Sequence, residues 1–193
     1  MLQWHEDRRT GVELDTLYLL SHPPTITTTR RGPGLDELPP ATATLDVVKS
    51  DRGGLASFHG PGQIVGYVIA SVGALGPVDF VAAVCNQVAE AVRRTGLDVR
   101  GHSELGLDAD RGGVWTPNGK QKVASIGMRV SDRITRHGFA LNVDIDLDGF
   151  SQILPCGLLP GVVTNLEQVA SLQNQRAPSR DRIVSALTAA FSH

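Results

Sequence analysis

A cysteine in a segment rich in proline and glycine has the surroundings that most favour chemistry in this chain. Cys156 lies between Pro155 and Gly157. Proline ends a preceding helix and glycine leaves the next amide unshielded, so a thiol here could face a reactant together with neighbouring N–H groups. A free cysteine is more often a small buried apolar side chain. The local sequence leaves both interpretations open.

A glycine-rich segment, residues 52–63, carries two further polar side chains. It has four glycines and one proline in twelve residues, which indicates tight turns and close approach by a ligand. Arg52 could bind a carboxylate, phosphate or carbonyl oxygen, and His59 could donate or accept a proton. Ordinary hairpin turns would account for the same glycines. The segment is not a phosphate-binding loop, because the Gly-Lys-Ser/Thr pattern is missing. It is not a dinucleotide fingerprint either, because no G-x-G-x-x-G pattern opens a helix.

Lys122 opens a strand predicted at residues 122–130, with a partner strand at residues 134–143. The chain has fifteen arginines but only three lysines, which draws attention to each lysine. Most lysines at strand ends are simply solvated, and that alternative stays open. Gly127 and Gly138 fall inside the two strands, where glycine indicates that a ligand or another backbone comes close.

The elements that must position these residues follow from hydrophobic periodicity and turn signals. The clearest helix is predicted at residues 77–95. Cys85 lies beside its apolar stripe and is assigned to the core. The pattern predicts one domain over residues 1–193, of α+β class, with a mixed β-sheet packed against helices. Strands are predicted at residues 15–20, 25–29, 45–49 and 64–71, loops at 33–40 and 115–120, and helices at 77–95, 165–170 and 179–191. A capping box, Thr164 to Glu167, is expected to begin the second of these helices.

Composition narrows the class of protein. Eighteen basic and twenty acidic residues give a net charge of −2, so no global field favours nucleic acid or an anionic membrane. Two cysteines are too few for a disulfide framework or a structural zinc site. The first residues lack the apolar core of a signal peptide, and glycines interrupt the longest apolar stretch, residues 64–78. A reduced, cytoplasmic protein is expected.

Three segments, taken in order, resemble a known family. They are Arg52-Gly-Gly-(x)4-His-Gly-Pro-Gly-Gln63, then Lys122-Val-Ala-Ser-Ile-Gly127 with His137-Gly-Phe-Ala-Leu-Asn-Val143, and then Leu154-Pro-Cys-Gly157 with Val163-Thr-Asn-Leu-Glu167. The set resembles the octanoyltransferases of lipoate biosynthesis, also called lipoyl(octanoyl) transferases. The resemblance extends from about Leu14 to Ala170 and includes His22-Pro-Pro24. It implies a fold similar to the catalytic domain of biotin and lipoate protein ligases.

The resemblance also implies a reaction. An octanoyl group would move from acyl carrier protein to a lysine of a lipoyl domain, in 2-oxo acid dehydrogenase E2 subunits or the glycine cleavage H protein. This is the first step of endogenous lipoate biosynthesis. Cys156 would be the acyl-thioester nucleophile and Lys122 its acid and base. No metal or cofactor is expected, because the thioester arrives already activated.

By the same resemblance, three segments would line the acyl pocket. Their residues are Arg52, Gly53, Gly54, Leu55, Ala56, Ser57, Phe58, His59, Ser125, Ile126, Gly127, Gly138, Phe139 and Ala140. The chain departs from the family in two places. Leu-Ala-Ser-Phe precedes His59 where a Thr-Tyr or Thr-Trp pair is common, and residues 1–3 look like an entry partway along an N-terminal helical segment.

Three other functions are compatible with parts of the pattern. An ATP-dependent lipoate or biotin ligase would share the fold but would not need a nucleophilic cysteine. A cysteine hydrolase would pair Cys156 with His59 or His137, yet no residue spacing identifies a group to orient the histidine. A non-catalytic acyl-binding or carrier-binding module would keep the glycine-rich pocket and have no use for Cys156 and Lys122.

Overall fold

The computed structural model describes residues 1–30, 45–151, 153 and 161–192. The loop predicted at residues 33–40 lies outside the described residues, and so does Cys156. The described part contains nine strands and five α-helices. The strands are β1 (Thr16–Leu20), β2 (Thr25–Thr28), β3 (Asp46–Lys49), β4 (Ser57–His59), β5 (Gln63–Ile69), β6 (Arg100–Gly101), β7 (Gly113–Trp115), β8 (Lys122–Ser131) and β9 (Ile134–Asn142). The helices are α1 (Leu2–Arg9), α2 (Pro77–Arg93), α3 (Asp148–Ser151), α4 (Leu166–Leu172) and α5 (Arg180–Phe191).

The described strands form two sheets. The larger has the order β1-β5-β9-β8-β7-β6, and every neighbouring pair in it is antiparallel. The smaller has the order β3-β2-β4, with β2 parallel to β3 and antiparallel to β4. The predicted α+β class with a mixed sheet and helices is confirmed, and among the described strands the parallel pairing is confined to the smaller sheet.

The main hydrophobic core lies between the larger sheet and helices α2, α4 and α5. In α2 the valine stripe is buried from Val84 through Val88 to Val92, whereas Val78 in the first turn is exposed. Helix α5 buries Ile183 and Leu187, in agreement with its predicted apolar face. A second cluster fills the space under the smaller sheet and consists of Ile26, Ala56, Phe58, Ile145, Phe150 and Ile153.

The helix starts follow from local chemistry, with one difference from the prediction. Pro77 occupies the first turn of α2, where its missing N–H costs nothing. Ser179 caps α5 by accepting a hydrogen bond from the Arg182 N–H. At α4 the cap is Asn165, which accepts from the Gln168 N–H at 2.9 Å, and not Thr164 as the capping-box pattern indicated. The Thr164 hydroxyl instead donates to the side chain of Gln168.

Five elements of the described part were not predicted from periodicity. They are α1, the short strand β4 inside the glycine-rich segment, the β6–β7 pair, and the single turn α3. The three strands have two or three residues each, so they are too short to show a period. Helix α1 is polar almost throughout and buries only His5 among its residues, so it carries no apolar stripe.

Candidate active site

A cavity of about 700 Å³ lies between the smaller sheet and the face of β5, β8 and β9. Its volume is in the range of roughly 300–1,000 Å³ that is typical of small-molecule sites. Its apolar side chains include Val48, Val65 and Ala140. An apolar wall of this size suits a flexible hydrocarbon chain.

Eleven of the residues proposed for the pocket from sequence line this cavity. They are Arg52, Gly53, Gly54, Ser57, His59, Ser125, Ile126, Gly127, Gly138, Phe139 and Ala140. The other three, Leu55, Ala56 and Phe58, are absent from the cavity wall. Phe58 packs in the cluster under the smaller sheet because alternate residues of β4 point to opposite faces, and Ala56, just before β4, packs in the same cluster.

The two strand glycines allow backbones to approach each other beside the cavity. Gly127 and Gly138 are paired across β8 and β9. A Cβ at Gly127 would lie 2.8 Å from the Gly53 carbonyl oxygen, and one at Gly138 would overlap the Gly66 carbonyl. The prediction that a ligand or another backbone comes close at these glycines is therefore confirmed, and the partner is backbone.

Arg52 holds the glycine-rich segment against β2. Its guanidinium donates to the Thr27 carbonyl at 3.0 Å and to the Thr27 hydroxyl at 2.7 Å. It also donates to the Gly53 carbonyl at 3.0 Å. The Gly53 N–H in turn donates to the Met128 carbonyl of β8. Arg52 thus ties the cavity wall together while keeping a positive charge at the cavity.

His59 is held in its neutral form. Burial is the main cause that lowers the pKa of its imidazole to about 4, and the charges of Arg52 and His22 act in the same direction. A hydrogen bond with Gln63 partly offsets this lowering of the pKa. The Nδ1 atom lies 2.8 Å from Gln63 Oε1 and the Nε2 atom 3.2 Å from Thr27 Oγ1. Both ring nitrogens are therefore occupied by protein groups.

His137 lies on the other side of the cavity in a charged cluster. Its Nε2 atom is 2.6 Å from Asp51 Oδ1, and Arg136 contacts the other carboxylate oxygen at 2.5 Å. Burial lowers the pKa of His137, although its bond to Asp51 acts in the opposite direction. Burial tends to raise the pKa of Asp51, but His137 and the nearby arginines lower it overall. The carboxylate is thus ionised and is bound to its neighbours.

Lys122 is 3% exposed and lies at the start of the strand whose residues 125–127 line the cavity. Its Nζ atom lies 5.2 Å from the centre of the Trp115 ring. Its backbone pairs with the chain after the cysteine segment: the Lys122 N–H donates to the Val162 carbonyl at 2.7 Å, and the Thr164 N–H donates to the Lys122 carbonyl at 3.0 Å. The tertiary fold has buried a lysine that the sequence alone left as a possible surface residue.

Cys85 is buried in α2, as predicted from its place beside the apolar stripe. Burial raises the pKa of its thiol to about 12, although a backbone hydrogen bond with Gly113 and the charge of Lys122 favour the thiolate. Cys85 is therefore a neutral thiol at physiological pH, and an unreactive one.

Several polar residues around the site were not singled out from sequence. Thr27, Gln63 and Asn142 form hydrogen bonds between the cavity and the strand pair β5–β9, and Trp115 contacts Lys122. Gln63 and Asn142 are 2% and 4% exposed. The available signal was an amide residue at the end of each of two predicted strands, next to apolar residues, since amides are seldom buried without partners.

The fold and the site define an α+β domain with an apolar cavity and a buried lysine on the strand that forms part of the cavity wall. The chain belongs to the family described as the lipoyl protein ligase A/B catalytic domain, whose model matches residues 2–192. Curated relatives named octanoyltransferase show that it is an acyltransferase of the lipoate pathway. One from Frankia casuarinae is 35% identical over 90% of this chain and 78% of its own length. One from Mycobacterium leprae is 42% identical over 83% of this chain and 68% of its own length.

Solved structures support the same fold at lower sequence identity. A lipoate-protein ligase A bound with ATP is similar with a TM-score of 0.76 and 18% identity, covering 99% of this chain and 78% of that one. A bipartite lipoate protein ligase from Thermoplasma acidophilum is similar with a TM-score of 0.74 and 18% identity. The match covers 99% of this chain and 77% of that one. These likenesses confirm the predicted relation to the lipoate ligase fold. Within the described ranges, no helix combines the length and apolarity needed to cross a bilayer.

Proposed function

We propose that the chain transfers an octanoyl group from acyl carrier protein to a lysine of a lipoyl domain, through a thioester on Cys156. The observation that carries this proposal is the dual role of β8, which supplies buried Lys122 and, at residues 125–127, part of the wall of an apolar cavity. Two octanoyltransferases that are 35% and 42% identical to the chain support the same reaction. A lipoyl transferase of the same class would use a lipoyl thioester in the same way.

The cavity supplies the binding energy for the acyl chain. At about 0.8 kcal/mol per buried methylene, an eight-carbon chain contributes on the order of 5 kcal/mol. Val65 and Ala140, which pair across β5 and β9, give the chain apolar surface, and Gly127 keeps that part of the wall free of side chain. Binding of this strength holds the acyl group long enough for its carbonyl to be positioned.

The proposed partnership of Cys156 and Lys122 rests on chain connectivity and burial. Cys156 is six residues before Val162, whose carbonyl accepts the Lys122 N–H hydrogen bond. Ile153, three residues on the other side, packs in the cluster under the smaller sheet. Both flanks of the cysteine segment are thus fixed to the body of the domain. An ammonium near a thiol stabilises the thiolate, which is the nucleophilic form.

In the first half-reaction, the Cys156 thiolate attacks the carbonyl carbon of the octanoyl thioester. The new bond joins Sγ to the acyl carbon, and the bond from that carbon to the phosphopantetheine sulfur breaks. The Lys122 ammonium gives its proton to the departing sulfur, so the carrier leaves as a thiol. Amides near Cys156 and Gly157, and around Gly127, stabilise the oxyanion of the tetrahedral intermediate.

In the second half-reaction, the amine of the acceptor lysine attacks the acyl carbon. A C–N bond forms, the bond to Cys156 Sγ breaks, and neutral Lys122 takes the proton lost by the nitrogen. The products are an octanoyl amide, a Cys156 thiolate and a Lys122 ammonium. The starting pair of charges is thereby restored without a metal or a nucleotide.

The acceptors would be lipoyl domains of 2-oxo acid dehydrogenase E2 subunits and the glycine cleavage H protein. We place the reaction in the cytoplasm, since both the carrier protein and a reduced thiol are required. Nucleic acid and membranes have no part in it, in keeping with the net charge of −2.

Intact-protein mass spectrometry after mixing with octanoyl-acyl carrier protein tests the proposal. We expect one octanoyl adduct that hydroxylamine removes, that maps to Cys156 and that passes to a lipoyl domain. Cys156→Ser should form no such thioester, and Lys122→Ala should form it much more slowly. Cys85→Ala is the matched control, because the buried thiol of Cys85 is neutral and should leave adduct formation unchanged.

Other outcomes would assign a different function. If well-folded protein forms no adduct with the carrier but joins free octanoate to a lipoyl domain when ATP is added, the chain is a ligase. An adduct that is lost only to water identifies a hydrolase. Binding of the carrier without any adduct identifies a non-catalytic module.

A further inference from the structure

A continuous series of hydrogen bonds runs from the cavity to the Val162–Thr164 segment, whose backbone pairs with Lys122. It begins at Arg52 and passes through Thr27 and His59, with distances of 2.7 Å and 3.2 Å. It continues from His59 to Gln63 at 2.8 Å and from Gln63 to Asn142 at 2.8 Å. It ends where Asn142 Nδ2 donates to the Thr164 carbonyl at 2.9 Å. These six residues are called the amide relay below.

The chemistry of the two ends fixes the direction of every bond in the amide relay. A carbonyl oxygen can only accept, so Asn142 must present its NH2 group to Thr164 and its oxygen to Gln63. Gln63 must then donate to Asn142 through Nε2 and accept from His59 through Oε1. His59 therefore carries its proton on Nδ1.

The other end of the amide relay accommodates the same tautomer. A guanidinium can only donate, so the Thr27 hydroxyl accepts from Arg52 and keeps its own proton, which it can give to His59 Nε2. Because the neutral ring of His59 carries its proton on Nδ1, Nε2 is the unprotonated nitrogen and accepts this bond. The lone pair of His59 is therefore already in use.

The far end of the amide relay adjoins the proposed reaction centre. Thr164 is fully buried, and its N–H donates to the Lys122 carbonyl at 3.0 Å. Gln63 and Asn142 face each other directly across β5 and β9, so their side chains form the middle of the amide relay at a fixed cross-strand position. The amide relay therefore spans from the cavity wall to the backbone that carries Lys122.

From this geometry we infer that Gln63 and Asn142 are positioning residues, which hold the Val162–Thr164 backbone and Lys122 in register with the cavity and lock His59 as a neutral Nδ1–H tautomer. The inference rests on the proposed function for its catalytic consequence. His59 then acts as a fixed structural link and not as a general base. This also removes His59 from the cysteine hydrolase alternative.

The tautomer can be tested without any substrate. Long-range ¹H–¹⁵N NMR of the wild-type protein should show His59 protonated at Nδ1 only and unchanged from about pH 5 to 8. Arg52 and His22 are the charged and titratable groups that face His59, and both oppose its protonation. A proton on Nε2, or a titration near pH 6.5, would overturn the amide relay.

Isosteric variants test the positioning role. Asn142→Asp and Gln63→Glu each replace one donating NH2 group by an oxygen and leave the shape of the side chain unchanged. We expect kcat for octanoyl transfer to fall roughly 10- to 100-fold, with KM for the carrier changed by less than about threefold, as for a small misplacement of reacting groups. Gln63→Glu should also make His59 titrate near neutral pH, because a carboxylate stabilises the imidazolium.

Thr135→Val is the matched control for loss of a buried hydrogen bond. Thr135 is fully buried on the same strand pair and donates to the Val68 carbonyl at 2.6 Å, but it is not part of the amide relay. It should lower the melting temperature and leave kcat within about threefold. If Asn142→Asp lowers kcat no more than Thr135→Val does, the positioning role is wrong.

Hydrogen exchange separates this inference from the proposed function. In Asn142→Asp the N–H groups of Lys122 and Thr164 should exchange faster than in Thr135→Val, whether or not the protein transfers octanoyl groups. If the wild type shows no transfer activity, the proposed function is refuted. The exchange rates and the NMR tautomer would still show whether the amide relay exists. If the wild type is active but the Lys122 and Thr164 N–H groups exchange no faster in Asn142→Asp than in Thr135→Val, the positioning role of the amide relay is wrong.

Discussion

Lys122 Nζ lies 5.2 Å from the centre of the indole ring of Trp115, and the two residues are 3% and 0% exposed. They are opposite each other on β8 and β7. Arg111 stacks on the same ring with its Cζ atom 4.3 Å from the centre. An aromatic ring attracts cations most strongly where water is scarce. Trp115 therefore supports the ammonium form of Lys122 in a place where a charge would otherwise be costly.

Substitution of Trp115 should slow formation of the acyl-enzyme according to how much ring remains. Trp115→Phe keeps an aromatic face but loses the Nε1–H bond to the Arg111 carbonyl. Trp115→Leu removes the ring and with it about 1–2 kcal/mol of cation–π attraction. Its acyl-enzyme should therefore form roughly tenfold more slowly than that of Trp115→Phe. Rapid-quench mass spectrometry of the Cys156 adduct measures both rates. Equal rates in two folded variants would show that the ring face does not matter.

Gly113→Ala should displace Lys122 without changing the catalytic residues themselves. A Cβ at Gly113 would overlap Lys122 Cε and the Ala124 carbonyl oxygen. We expect the rate of acylation to fall about 100-fold, because reacting groups tolerate little displacement. Gly112→Ala is the control, since its Cβ would meet the Ala109 carbonyl at 3.3 Å and nothing of Lys122. The prediction fails if the two variants acylate equally fast while both remain folded by circular dichroism.

Ala140→Leu should shorten the acyl chain that the enzyme prefers. Ala140 lines the cavity, so a larger side chain takes the volume of two or three methylenes. At about 0.8 kcal/mol for each methylene, the ratio of octanoyl to hexanoyl transfer should fall roughly tenfold. Competition between the two carrier thioesters measures this ratio directly. Ala56→Val is the comparison, because Ala56 packs under the smaller sheet, and it should alter stability but not the ratio.

His59 should make the protein less stable in acid. Its folded pKa of about 4 is below the value of about 6.5 in an unfolded chain, so only the unfolded state takes up a proton between these values. The contribution of His59 to the free energy of unfolding is complete above about pH 6.5. It declines, by up to about 1.4 kcal/mol per pH unit, as the pH falls towards 4. His59→Asn keeps an N–H for Gln63 and does not titrate. Urea unfolding at several pH values should show the advantage of the wild type shrinking in acid, and a constant difference would contradict this.

Periodicity and turn residues were enough to predict most of the framework. The long strands β5, β8 and β9 and helices α2 and α5 have clear apolar patterns, and each was placed to within a few residues. Gly127 and Gly138 were correctly predicted as points of close approach, because a strand seldom gives up a packing side chain unless another group needs the space. The two- and three-residue strands β6 and β4 and the single-turn helix α3 were missed because they are too short to show a period.

The sequence by itself determined the family, through the order of its motifs, and the candidate residues that the motifs contain. It did not determine which of two states Lys122 occupies, since a solvated and a buried lysine look the same in one strand. Only the tertiary structure decided that, by setting Trp115 and Gly113 against it from a neighbouring strand. The same holds for Gln63 and Asn142, whose partnership crosses 79 residues of chain. Local sequence records the preference of each residue, whereas burial and hydrogen-bond direction depend on groups that only folding brings together.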